Sequence, residues 1–177
     1  MLTLSPIWRP DDAIEQFVKL SIEHNPALRI TVQEFWMPSD EYNPVYPLAT
    51  KKKADQNATD ITKLRDATMR YAKDIEDYVQ GINQRLGKQS VFIVPVGMAA
   101  VTLRENILKG EAPGLKTQAE LFCDYWGHAL APLQILSSYC HFAIIYRRSP
   151  AGLPVPNAFK ALKDMSDEDK AKLNKLL

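Results

Sequence analysis

The sequence predicts an α/β domain built on a parallel sheet, and three observations carry that prediction. Short apolar or β-branched runs alternate along the chain with longer segments that repeat apolar residues every three or four positions. The third such run, Val91 to Val96, is continuously apolar, as a parallel strand covered on both faces must be. The resulting order is strand, helix, strand, helix, strand, helix, helix, which right-handed crossovers turn into a parallel sheet with helices on both faces.

Met1 to Ser5 opens the chain as a strand, with Pro6 after it. Pro10, Asp11 and Asp12 start a helix, because proline suits the first helical position and acids favour the positive end of the helix dipole. Its apolar face is Ile14, Phe17, Val18 and Ile22, and Asn25-Pro26 stops it. Arg29 to Trp36 reads as the second strand, ended by Pro38. Met37 to Asn57 is a long irregular excursion holding Pro38, Pro44, Pro47 and the run Lys51-Lys52-Lys53. Loops of this length are functional lids or disordered segments.

The next helix is the clearest element: Ile61, Leu64, Tyr71, Ile75, Tyr78, Val79, Ile82 and Leu86 share a face, Asp60 caps it and Gly87 stops it. Gly97 turns the third strand into a helix from about Met98 to Leu108. Pro132 to Tyr146 is apolar nearly all round, which predicts a central packing helix. Ser166 with Asp169 forms a capping box for a final charged helix. With 177 residues, 46% hydrophobic and 24% charged, the chain suits one well-buried domain, read as residues 1–156, followed by a charged helical tail, 157–177.

Charge and composition narrow the function classes. A formal net charge of +1 provides no field toward nucleic acid or an anionic membrane, so neither is expected as a partner. No run approaches about 18 uninterrupted apolar residues, and Met1 to Pro10 has no basic leader before an apolar stretch, so no span or export signal is expected in the chain as given. Cys123 and Cys140 do not make a disulfide framework. The three histidines are scattered, so no metal ligand and no cofactor is assigned.

In open α/β sheets ligands bind beyond the carboxyl ends of the strands. That edge gathers Trp8, Glu34 and Trp36, the candidate substrate-binding residues, and the loop before the last large helix brings Asp124 and His128 to it. A carboxylate bonded to one ring nitrogen of His128 would fix the tautomer and turn the other nitrogen toward a hydroxyl nucleophile. The alternative is structural, with His128 helping to cap the helix that follows. Trp8 and Trp36 serve either to stack on a sugar or acyl group or to form a core rim. Glu34, Asp40 and Glu41 could also pair as acid and base. His24 sits at a helix end and His141 inside the apolar helix. The chain has no Gly-x-Ser-x-Gly elbow, phosphate loop or Gly-x-Gly-x-x-Gly.

Three blocks carry a resemblance: Val91 to Gly97 (VFIVPVG), Leu121 to His128 (LFCDYWGH) and Ser138 to Pro150 (SYCHFAIIYRRSP). Together they resemble the C-terminal part of SGNH (GDSL-type) hydrolase-like proteins, and Leu2 to Trp8 and Ile30 to Trp36 fit the middle of the same proteins. The resemblance implies a flavodoxin-like three-layer sandwich lacking its first two strands. It also implies hydrolysis of an ester or carbohydrate acetyl ester by a Ser-His-Asp triad, with Asp124 and His128 as acid and base. The family's Gly-Asp-Ser nucleophile block does not occur here, and three residues rather than two separate acid from base. Ser5, at the end of the first strand, is the candidate substitute nucleophile. The alternative function is a non-catalytic carbohydrate-binding or protein-interaction module, and the family suggests export of a full-length form. A homo-oligomer through an exposed sheet edge is the macromolecular partner this fold allows.

Overall fold

The computed structural model describes residues 2–7 as backbone, and residues 10–42 and 55–177 with their side chains. Trp8 and the lysine run at 51–53 lie outside these residues. The chain forms β1 (Leu2–Ile7), α1 (Asp12–His24), β2 (Ile30–Glu34), α2 (Ile61–Leu86), β3 (Val91–Val94), α3 (Val96–Leu108), α4 (Ala131–Tyr146) and α5 (Asp167–Leu176). Short 3-10 turns at Gln118–Leu121 and Asn157–Ala161 precede α4 and α5. The predicted alternation is present, and it gives an α/β fold on a parallel sheet.

The three strands lie in the order β1-β2-β3, both pairs parallel. Every residue of the central β2 is buried, whereas Phe92 and Ile93 of the edge strand β3 are only half-buried. Ile30 and Val32 of β2 pack into a cluster with Val18 and Ile22 of α1 and Leu64, Ile75, Val79 and Ile82 of α2. Gln33, one step along the pleat, points the opposite way and reaches α4, where its Oε1 lies 2.8 Å from His141 Nε2. β2 thus sits between helices, its Ile30 and Val32 against α1 and α2 and its Gln33 toward α4.

Several boundaries differ from expectation, each for a local reason. β1 continues to Ile7, so Ser5 lies within the strand rather than at its end. The β1–β2 register shifts between Leu4 and Ile7, at Pro6, which has no N–H to give to a ladder. β3 stops at Val94 because Pro95 becomes the cap of α3. Gly97 is therefore not a turn but part of the first helical turn. A Cβ there would stand 2.6 Å from the Phe35 carbonyl oxygen, so glycine lets α3 press against the end of β2.

Helix α2 matches its predicted ends. Asp60 accepts from the amides of Thr62 and Lys63, and Gly87 closes the helix with φ +64°. Helix α4 is central only in its first half: Leu133, Ile135, Leu136 and Tyr139 are buried, but 140–145 are half-exposed and Tyr146 is open. The charged C-terminal segment is helical, with Ser166 capping α5 through the Asp169 amide. It is also anchored, since Phe159, Met165 and Leu173 are buried in one cluster with Leu121 and Leu133.

Candidate functional site

The site is a tight hairpin between the 118–121 turn and α4. Leu121 and Phe122 are buried anchors, Phe122 bridges to Ala129 in antiparallel fashion, and the Leu130 amide donates to the Leu121 carbonyl at 2.8 Å. Within that frame the Cys123 amide donates to the His128 carbonyl (2.8 Å) and the Gly127 amide to the Asp124 carbonyl (3.2 Å). The turn at 124–127 brings the fifth residue back over the first, which is why acid and base meet across three intervening residues.

Gly127 makes the turn possible. Its φ is +88°, in the left-handed region, and a Cβ on it would lie 2.7 Å from Pro38 Cβ. Two further bonds hold the tip from outside: Trp36 Nε1 donates to the Gly127 carbonyl (2.8 Å) and Gln56 Nε2 to the Asp124 carbonyl (2.8 Å). The loop is clamped by segments that follow β2 and precede α2.

Asp124 uses both carboxylate oxygens on His128. Oδ1 accepts the His128 amide at 3.1 Å, and Oδ2 lies 2.5 Å from the ring Nδ1. The histidine's hydrogen bond is the main reason that the Asp124 carboxyl titrates below its ordinary range. Nε2 has no hydrogen-bond partner among the described residues, and the His128 side chain is 74% exposed. The capping alternative is not realised, because Leu130 is the N-cap of α4 and no side chain bonds there.

The other predicted residues take different positions. Trp36 is half-buried, its ring stacked on Phe35 and its indole N–H spent on the hairpin, so it braces the loop rather than facing a ligand. Glu34 is 2% exposed and accepts the Met98 amide at 3.3 Å at the start of α3; burial raises its carboxyl above the ordinary value. It sits beneath the strand end and not in an open mouth. His24 bonds the Leu20 carbonyl within its own helix. Trp8 lies outside the described residues.

Three features went unanticipated. Arg104 of α3 is 1% exposed and donates to Gln118 Oε1 (2.8 Å) and to the carbonyls of Met37, Pro38 and Gln56 (each 3.1 Å). Burial pushes its pKa down to about 10, so it remains charged at neutral pH and ties together the segments that clamp the hairpin. Its position in the apolar face of a helix was the available signal. Second, Tyr125 and Trp126 are partly exposed at the tip with ring centroids 4.8 Å apart. Third, donor atoms of Cys123, Asp124 and His128 all lie within 4.8 Å of one another. The expectation of no metal ligand came from the scatter of the histidines and the small number of cysteines, and did not weigh Cys123 beside the Asp124–His128 pair.

A cleft of about 520 Å³ lies elsewhere, along the β3 edge between α2 and Ile144 of α4. No family model, curated protein or solved structure matches the chain.

Proposed function

We propose that Asp124 and His128 are the orienting acid and the general base of an SGNH-type ester-hydrolase site, acting on a small-molecule or carbohydrate acetyl ester. The observation that carries this is the contact between Asp124 Oδ2 and His128 Nδ1 at 2.5 Å, with Nε2 directed to solvent. In this role Asp124 holds a proton on Nδ1. Nε2 then takes the proton of a hydroxyl nucleophile as it attacks the ester carbonyl, and returns it to the departing alcohol. The sequential parallel order β1-β2-β3 supports the fold half of the reading, since the last three strands of a flavodoxin-like sheet run 3-4-5 in sequence. On that assignment the domain is the back part of a three-layer sandwich.

No Gly-Asp-Ser occurs in the chain, so the nucleophile is the open member of the triad. Fluorophosphonate labelling tests for it. A serine adduct formed by the chain and lost in His128→Ala is the expected result. Absence of any adduct, or an adduct that persists unchanged in His128→Ala, overturns a catalytic role for this chain.

The exposed Tyr125–Trp126 pair favours a second reading, a non-catalytic carbohydrate-binding module, because adjacent aromatic faces stack on sugar rings. Under it, oligosaccharides quench tryptophan fluorescence in the chain and in His128→Ala alike, and fail to do so in Trp126→Ala.

A further inference from the structure

We infer that Cys123, Asp124 and His128 form a three-ligand site for a transition-metal dication of the zinc class. The three residues offer a thiolate, a carboxylate and an imidazole nitrogen, all within 4.8 Å of one another. Soft sulfur with nitrogen and one oxygen is a donor set that suits zinc and disfavours magnesium or calcium, which take oxygen ligands almost exclusively. Three protein ligands leave the fourth tetrahedral position to water, the arrangement of an open rather than a purely structural zinc site.

The geometry asks for donor-atom shifts of about 1 Å. With zinc–ligand bonds of about 2.0–2.3 Å, donor atoms of a tetrahedral site stand roughly 3.3–3.8 Å apart. The Asp124–His128 contact therefore opens from 2.5 Å, while the thiol closes in from within 4.8 Å. The backbone that carries the ligands is already set by the Cys123–His128 and Gly127–Asp124 bonds and by the outside clamps from Trp36 and Gln56. Cys123 is exposed, so the ion has direct access. Binding exchanges the thiol proton for the metal, Cys–SH plus Zn²⁺ giving Cys–S–Zn⁺ plus H⁺, while the imidazole proton that faces Asp124 moves from Nδ1 to Nε2 so that Nδ1 can ligate, with no redox change and no further reactant.

This site does not rest on the hydrolase reading, because metal binding is read with no ester present. The test is titration of the reduced, untagged chain with Co²⁺ and then Zn²⁺. The expected result is a near-ultraviolet thiolate-to-cobalt band that zinc bleaches, absent from Cys123→Ser, with zinc affinity at least tenfold weaker in Cys123→Ser and in His128→Gln. Zinc should also protect Cys123 from iodoacetamide. The second thiol gives little background, since burial pushes Cys140 up to about 11. No thiolate–cobalt band, or zinc binding of equal strength in the chain and both variants, overturns the site. Zinc binding through Cys123 in a chain that fails to label with fluorophosphonate would uphold this inference and remove only the hydrolase reading.

Discussion

Replacing Arg104 with methionine, which has similar reach and no donors, should destabilise the fold by about 3–5 kcal/mol, the balance of four buried acceptors losing their donor against the desolvation cost that leaves with the guanidinium. The guanidinium serves four acceptors, three of them main-chain carbonyls that stay in place after the substitution. Each buried acceptor left unpaired costs about 1–3 kcal/mol, a gross loss of roughly 4–12. Against this, a buried guanidinium carries a desolvation penalty of several kcal/mol, which the variant no longer bears. The loss wins because the carbonyls cannot leave with the arginine, unlike the two partners of an ion pair replaced together. With a urea slope of about 2 kcal/mol/M, the unfolding midpoint should fall by roughly 1.5–2.5 M at unchanged slope. Arg104→Lys should fall between, since one ammonium cannot span the fork's acceptors. A midpoint within about 0.3 M of the parent for Arg104→Met would refute the reasoning, because desolvation would then balance the four bonds.

Three other perturbations follow from the same structure. Gly127→Ala should lower stability by about 2–3 kcal/mol, from the positive φ and the collision with Pro38 together, seen as a Tm drop of roughly 4–12 °C; an unchanged Tm would mean that the turn relaxes freely. Asn83→Ala should cost about 1–3 kcal/mol and induce concentration-dependent association in sedimentation, because Asn83 Nδ2 and Oδ1 occupy the Val91 carbonyl and amide on the β3 edge; a less stable but strictly monomeric variant would refute the edge-guarding role. Glu34, whose folded carboxyl lies above the ordinary 4.5, adds stability as pH falls from its folded value toward 4.5, so the Tm of Glu34→Gln relative to the parent should be highest at neutral or alkaline pH and decline on acidification; a constant difference across that range would refute it.

The periodic parts of the fold were legible in the sequence. Asp60, Gly87 and the apolar stripe between them fix α2 by local chemistry alone, and the alternation of runs leads to the parallel sheet. What was not legible depends on contacts distant in sequence. Gly97 reads as a turn residue until Phe35 is seen behind it. Trp36 and Glu34 read as mouth residues because they end a strand, and the hairpin and α3 then take up their polar atoms. In the site, the Asp124–His128 pairing is visible from a spacing of four. The part played by Cys123 is not, because nothing local says that a residue before the acid will share its space.

The placement of polar groups separates what holds this hairpin from what it presents to solvent. Arg104 and Glu34 are buried and bonded chiefly to backbone groups, Arg104 also to Gln118, and they lie on α3 and at the end of β2. Asp124, His128 and Cys123 are open to solvent to differing degrees, and their partners are chiefly one another. A hairpin whose only purpose was to connect α3 to α4 would not need a left-handed glycine wedged on Pro38, an indole N–H on its carbonyl and a buried arginine behind both. The rigid surround confines an acid, an imidazole and a thiol at a solvent-facing tip, and pre-organisation of that kind matters when a proton or a metal ion must be held at a defined place. Loosening the turn that carries the three groups, as Gly127→Ala does, should therefore weaken zinc binding as well as stability.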